Sequence, residues 1–374
     1  MLEQFARRQT EDGDRVQVVS FDDPRDEAAR AFKYPLVALG PCGTFYGYTP
    51  RLAAWLRNHA RDYDVVLVHG IWQYHSTAAW QVLRKLGVPY AIYTHGMLDP
   101  GHHKVSRLKQ FKKQLYWWML EFRVLRDAAA VLFSTEEERR LAPEGIWPLR
   151  LSRSMVVPHG LEEPQGDANA QREAFLSRFP ELRGRRILLF LGRFDPKKGV
   201  KLLIDAYAQR AEAHPDVTLV MAGPDQGPES EALKKRIPER LAGRVTWTGL
   251  LLNEEKWGAF HAAEAFIIPS HTENYCIAAV ESLACGVPVL MSNKVNIHPT
   301  VSAHKAGFVE NDDEAGCLRL LDRWLATSQV DWEKMCANAQ LCYRKEFVMS
   351  DAYARYREAV TLIKESGGRE CHPL

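Results

Sequence analysis

The 374-residue chain is first narrowed by what it lacks. No apolar run approaches the roughly 20 residues of a membrane-spanning helix. Its first residues, MLEQFARRQTEDGDR, are charged and hold no apolar core, so no secretory leader is expected there. The seven cysteines are scattered, with no C-x-x-C pair and no His/Cys cluster at zinc spacing. An odd, scattered set suits reduced thiols and a cytoplasmic setting. The formal net charge is only +2, too small to mark a nucleic-acid partner. The phosphate loops G-x-x-x-x-G-K-[ST] and G-x-G-x-x-G are absent. No ligand spacing points to a metal, and none is expected. What is there is an ordinary globular composition, 46% hydrophobic and 26% charged, long enough for two domains with separate cores.

Short β-branched runs alternate with helical patterns. Strands are expected at 16–20, 64–69, 88–93, 129–134 and 155–158, then at 186–191, 217–222, 245–248, 265–268, 289–291 and 307–309. Residues 2–9 read as a helix and 104–127 as a long helical stretch. The segment 22–49, rich in Asp, Pro and Gly, reads as loop. Strands alternating with helices predict an α/β chain of two doubly wound parallel-sheet domains. Ligands bind such sheets at the carboxyl ends of the strands. The informative positions are therefore His69-Gly70, His95-Gly96, Gly192-Arg193, Gly223-Pro224, Thr248-Gly249 and 270–273.

The stretch 270–290, SHTENYCIAAVESLACGVPVL, reads as the end of one strand, a polar turn, a helix and the start of another strand. It carries Glu273 in the turn and Glu281, eight positions on, in the helix. A helix start offers unpaired N–H groups and the positive end of a dipole, so it attracts an anion. Carboxylates beside an anion site imply hydroxyl groups to bind, and anion plus hydroxyls points to a sugar nucleotide. Two other readings stand: a glycosidase acid/base pair, or a Glu281 that is only polar surface. The loop GRFDPKKG, 192–199, sets Arg193 and Lys198 five apart, two cations suited to a diphosphate. Its bland reading is a solvated charged loop. His69 and His95 both end strands before glycine, and read as turn residues or as lining of a site.

The pieces LGRFDPKKGVKLLIDAY, VMAGP, VTWTGLL, AEAFIIPSHTENYCIAAVESLACGVPVL and AGFV resemble the donor domain of GT-B fold retaining glycosyltransferases of family four. DVVLVHGIW, YAIYTHGMLDP and VLFSTEEE resemble that family's acceptor domain, and VVPHGL its linker turn. The resemblance implies two Rossmann-like domains facing across a cleft: 1–158 on the acceptor side, 159–349 for the donor, and a last helix in 350–374 crossing back before a frayed tail. It implies Arg193 and Lys198 on the donor diphosphate, with Asn274, Tyr275, Cys276 and Ile277 meeting sugar and phosphate through backbone N–H groups. Glu281 would bind the ribose, Glu273 the transferred sugar, and His95 would act near the scissile bond. The base would rest near Gly223, Pro224, Leu250 and Leu251. No protein nucleophile, cofactor or metal is implied. The expected activity is metal-independent transfer from a nucleotide-sugar to a glycan or lipid-linked acceptor in surface polysaccharide synthesis. The alternatives are a non-catalytic nucleotide-sugar-binding subunit and an epimerase or phosphorylase on the same fold.

The chain departs from the family pattern in three places. The acceptor domain's usual first strand and glycine loop are missing, which would leave an open apolar sheet edge; a start assigned too late is the favoured explanation. Cys276 stands where the family has Gly, and is expected to narrow the phosphate site. His159 replaces the linker's Asn as a turn residue. The stretch 104–126 carries seven basic residues and one acidic, with Tyr116, Trp117, Trp118 and Phe122. It reads either as a helix packed on the sheet by its aromatic side or as one lying on an anionic membrane, which would place the protein at the inner face of that membrane.

Overall fold

The computed structural model describes residues 2–100, 107–146, 149, 151 and 153–366. The chain divides into two compact units, one of residues 1–160 with 349–374 and the other of residues 161–348.

The unit of residues 161–348 is built on six parallel strands. They are β7 (Arg186–Leu191), β8 (Val217–Ala222), β9 (Val245–Gly249), β10 (Ala265–Ile268), β11 (Val289–Ser292) and β12 (Gly307–Glu310). All of β8, β10 and β11 is buried. Helices cover both faces of such a sheet, which is why these strands read as continuous rather than alternating apolar runs. The order is β12-β11-β10-β7-β8-β9. It reverses between β7 and β10, and that switch point leaves a crevice beyond the strands' carboxyl ends.

In the other unit, β3 (Val66–His69), β4 (Tyr90–Tyr93), β5 (Ala130–Phe133) and β6 (Ser154–Val156) form a parallel sheet in that order. A separate parallel pair joins β1 (Val18–Ser20) to β2 (Leu36–Ala38). Strand β2 and a helix at Glu27–Ala31 both fall in the segment read as loop from its composition. A three-residue strand between Pro35 and Gly40-Pro41 is too short to show a period against such turn signals. The last helix, Met349–Ser366, belongs to this unit. Its Tyr356 packs on Phe5 with ring centroids 4.8 Å apart, and its Tyr353 hydroxyl donates to Asp12 at 2.6 Å.

Strand β3 is an edge. Its Val66 and Gly70 N–H groups donate to the carbonyls of Pro89 and Tyr93, so by alternation Leu67 and His69 direct theirs away from β4. On that side lies a cavity of about 560 Å³, lined by Val18 and Val19 of β1, by Leu67, and by Phe5, Trp55 and Tyr356. Two apolar strands thus border one cavity. Val65, Val66 and Leu67 stay half-buried where β4 and β5 are fully buried. Among the described residues no strand pairs with this side of β3.

The long helical stretch is interrupted. Helix Arg107–Tyr116 passes into a π-helical turn, Trp117–Glu121, and then into helix Phe122–Arg126; residues 104–106 lie outside the described ones. Its aromatic residues divide between two environments. Trp117 is fully buried, while Phe111 and Trp118 are exposed.

Candidate active site

The loops after β7 and β10 meet at the switch point of the 161–348 unit. Gly199 opens helix Val200–Arg210 with φ of +67°, and a Cβ there would stand 2.0 Å from the Pro269 carbonyl oxygen. Only glycine allows both the left-handed backbone and that approach. The His271 N–H donates to the Lys197 carbonyl at 2.7 Å. Across this junction Lys198 and Glu273 form an ion pair, each side chain about one-fifth exposed. The sequence assigns them to different parts of a ligand; the fold pairs them with each other. Glu273 is held by its backbone, its N–H donating to Lys294 at 2.9 Å and its carbonyl accepting from Asn296 at 3.0 Å. Arg193 is exposed at the start of the same loop.

Helix Ile277–Ala284 starts just beyond Glu273. Its Ala279 and Val280 N–H groups reach the Cys276 carbonyl, whereas those of Ile277 and Ala278 precede the first intrahelical acceptor. The positive end of the helix therefore lies beside Glu273. Cys276 has φ of +52°, the left-handed region that favours glycine. Its side chain is buried in the core, and the position carries a backbone cost. Burial, with Glu273 nearby, pushes the thiol pKa up to about 12, which leaves it inert. Tyr275 is also turned inward, edge-on to Phe347. Asn274 Oδ1 accepts from Asn296 at 3.3 Å.

Glu281 is buried on this helix rather than exposed. Its Oε1 lies 2.5 Å from Lys256 Nζ, on helix Asn253–Ala262. Burial raises the Glu281 pKa, and the Lys256 ammonium opposes that shift. The Lys256 ammonium also sits 4.4 Å from the Trp257 ring centre. Lys256 was not singled out in the sequence, where it is one charged residue on a helix that carries several. Gly223 stands where a Cβ would meet the Gly192 carbonyl at 2.1 Å, so the loops after β7 and β8 close on each other. Its N–H donates to the Gly249 carbonyl at 3.0 Å. Of the leucines that follow, Leu250 is exposed and Leu251 is buried. Leu250 is therefore the one available to a ligand.

The other unit holds a cluster of imidazoles. His69 Nδ1 lies 2.9 Å from His95 Nε2. Tyr93 stacks on His95 at 4.6 Å between centroids, and the His159 ring is 5.4 Å away. His159, read as a turn residue, is instead a buried member of this cluster, its Nε2 3.2 Å from Ser134 Oγ. Burial depresses all three: His69 to about 3, His95 to about 4 and His159 to about 3, with repulsion between the rings adding to the shift of His69 and His159. They are neutral hydrogen-bonding groups near pH 7. Glu138, fully buried beside the turn that carries His95, was not singled out in the sequence. Among the described residues no group of three or more His, Cys, Asp or Glu side chains is placed to hold a metal ion.

Two family models match the chain: glycosyl transferases group 1 over residues 172–339, and a glycosyl transferase 4-like domain over residues 1–160. The alpha-D-kanosaminyltransferase of Streptomyces kanamyceticus is 26% identical over 228 residues, 60% of this chain and 58% of that protein. The chain thus spans about six tenths of this relative and of two others. The sucrose-phosphate synthase of Thermosynechococcus elongatus superposes with a TM-score of 0.76 at 21% identity, covering 98% of this chain and 93% of that one. HepE of Anabaena, solved with UDP and glucose, gives 0.76 at 17% identity, covering 96% and 94%. These likenesses establish the GT-B fold.

Proposed function

The chain belongs to the group 1 glycosyl transferases, and from that premise we propose that it moves a sugar, with retention at the anomeric carbon, from a nucleotide-sugar donor to a glycan or lipid-linked acceptor. The observation that carries this reading is the junction at the β7/β10 switch point. There Lys198, Glu273 and the start of helix Ile277–Ala284 come together, with Arg193 at the head of the same loop. The presence of UDP and glucose in the Anabaena structure supports a nucleotide-sugar as donor here.

In this reading the acceptor oxygen bonds to the anomeric carbon as that carbon's bond to the diphosphate oxygen breaks. The acceptor proton passes to the departing oxygen on the same face. No side chain acts as nucleophile. Negative charge grows on the leaving diphosphate, and Arg193, Lys198 and the helix-start N–H groups stabilise it. This supply of positive charge is why we assign no metal to the step. An arriving diphosphate competes for Lys198 and frees Glu273 to accept from hydroxyls of the transferred sugar. Glu281, held in place by Lys256, accepts from the ribose hydroxyls. His95 is the candidate catalytic group of the N-terminal unit, acting as a neutral hydrogen-bonding partner of the reacting sugar.

The acceptor class and a place at the inner face of a membrane rest on one surface. Phe111, Leu115, Trp118 and Met119 are exposed and recur at helical spacing. Lys112, Arg123 and Arg126 lie on the same stretch, and an apolar stripe among cations suits an anionic bilayer interface. No helix of the described residues is long and apolar enough to cross a membrane. A lipid-linked intermediate of surface polysaccharide assembly would be presented at such an interface. Because Trp117 is core, Trp118→Ala with Phe111→Ala is the informative variant. It should lose sedimentation with phosphatidylglycerol vesicles, and a wild type that never sediments would remove the idea.

Titration with UDP, GDP and ADP tests the donor site. Arg193→Ala and Glu281→Ala should each lose a charge-assisted hydrogen bond of about 1.5–3 kcal/mol, or roughly 10–150-fold in affinity. Unchanged affinity in both variants would remove the assignment.

A further inference from the structure

We propose that Glu138 is the positioning residue for His95, a role that rests on His95 acting at the reacting sugar. Glu138 lies in the first turn of helix Glu136–Gly145, directly after β5, and is fully buried. Thr135 caps this helix, its Oγ1 accepting the Glu138 N–H at 3.0 Å. In a capping box the glutamate would return the bond to the N–H of the cap residue. Here its carboxylate turns elsewhere. Oε1 accepts from the Thr94 hydroxyl at 2.6 Å and from the Gly96 N–H at 2.5 Å. Oε2 accepts from the Ser134 N–H at 2.7 Å.

Thr94 and Gly96 flank His95. His95 itself has φ of +49°, a backbone conformation unfavourable for a side chain with a Cβ. Such strain persists only where the surroundings over-determine it. The carboxylate grips the chain on both sides of the strained residue, and His69 and Tyr93 then fix the ring. The Ser134 bond extends the same anchor toward His159, whose Nε2 meets Ser134 Oγ. Among the described residues three donors converge on Glu138, two of them backbone N–H groups. A carboxylate only accepts, so it can serve all three; the amide of a glutamine would set an NH₂ against one of them.

Glu138→Gln is the test, with Thr135→Ala as the control that loses the cap but leaves the bonds to Thr94 and Gly96 intact. Three quantities are read for each: thermal midpoint, steady-state transfer kinetics, and the imidazole NMR signals of histidine-labelled protein. Glu138→Gln should move the His95 ring signals and lower kcat by about 10–100-fold, since displacing a reacting group by an ångström can cost about 100-fold. Donor KM and UDP affinity should stay within about two-fold, the uniform-binding pattern being absent. Thr135→Ala should lower the midpoint yet leave kcat and the His95 signals in place. If Glu138→Gln fails to fold, Glu138→Asp, which keeps the charge and shortens the reach, is judged by the same criteria. The proposal is overturned if the Glu138 variant leaves the His95 signals unmoved, or if Thr135→Ala reproduces both effects. Should the signals move while His95→Ala retains full activity, the positioning role stands and the assignment of His95 falls.

Discussion

Lys256→Met probes the proposed donor site most sharply without touching the contacts proposed for the ligand. Methionine keeps an apolar stem beside Trp257 and deletes the ammonium 2.5 Å from Glu281. Removing one partner of a buried ion pair costs about 3–5 kcal/mol. The Lys256 side chain is 24% exposed, so water reaches its end and offsets part of that cost; about 2–3 kcal/mol is expected, the range of a charge-assisted hydrogen bond. For a unit of this size that lowers the melting midpoint by roughly 4–12 °C. The deficit should depend on pH with a definite sign. Burial raises the folded pKa of Glu281 above its unfolded value. Such a group contributes stability below the unfolded pKa and loses it as pH rises through the folded one. Without Lys256 the folded pKa climbs further, so the deficit against wild type is largest near pH 8 and shrinks toward pH 5. Calorimetry of both proteins at the two pH values decides it. Equal midpoints at pH 8, or a deficit that is the same at both, would refute a buried carboxylate held ionised by Lys256.

Two further outcomes follow from the N-terminal unit. The amides of Leu67 and His69, directed away from β4, should exchange with deuterium faster than those of Ala91 and Ile92 in the buried strand beside them; equal protection would mean that the β3 edge is closed. The three depressed histidines contribute stability that is present above about pH 6.5 and lost as pH falls through their folded values of about 4 and about 3. Glu121, raised to about 7 by burial, acts in the opposite sense between its ordinary value and 7, and Glu281, also raised by burial, acts in that sense too, but two groups oppose three. The urea midpoint should therefore drop between pH 6.5 and 4.5, and a flat or rising midpoint would contradict the buried neutral cluster.

Much of the fold was legible because buried parallel strands announce themselves: runs such as LLFL and AFII need no partner to be recognised. The positions just after those strands were legible for the same reason. What the sequence hid was pairing. Nothing in the local pattern says that Lys198 meets Glu273, 75 residues on, or that Lys256 meets Glu281. Glu138 was masked by a plausible local role, since Thr135 does cap the helix and only the far loop shows where the carboxylate goes. His159 looked like a turn because its burial comes from side chains distant in sequence. In the segment 22–49 the turn residues outweighed a three-residue strand, whose only period is its contact with β1. The aromatic run 116–118 could not be divided into core and surface by spacing alone, because a π-helical turn shifts the register there.

Sugar transfer from a nucleotide-sugar with retention, as proposed above, is open to a direct test. The most direct measurement incubates the protein with UDP-, GDP- and ADP-sugars and a lipid-tailed glycoside acceptor, and follows nucleoside diphosphate release and the anomeric configuration of the product by NMR. One nucleoside diphosphate should be released per glycoside formed, with the donor's configuration kept, and His95→Ala should slow release without weakening nucleotide binding. An inverted product, a free epimerised donor, or neither binding nor release with any nucleotide would contradict it.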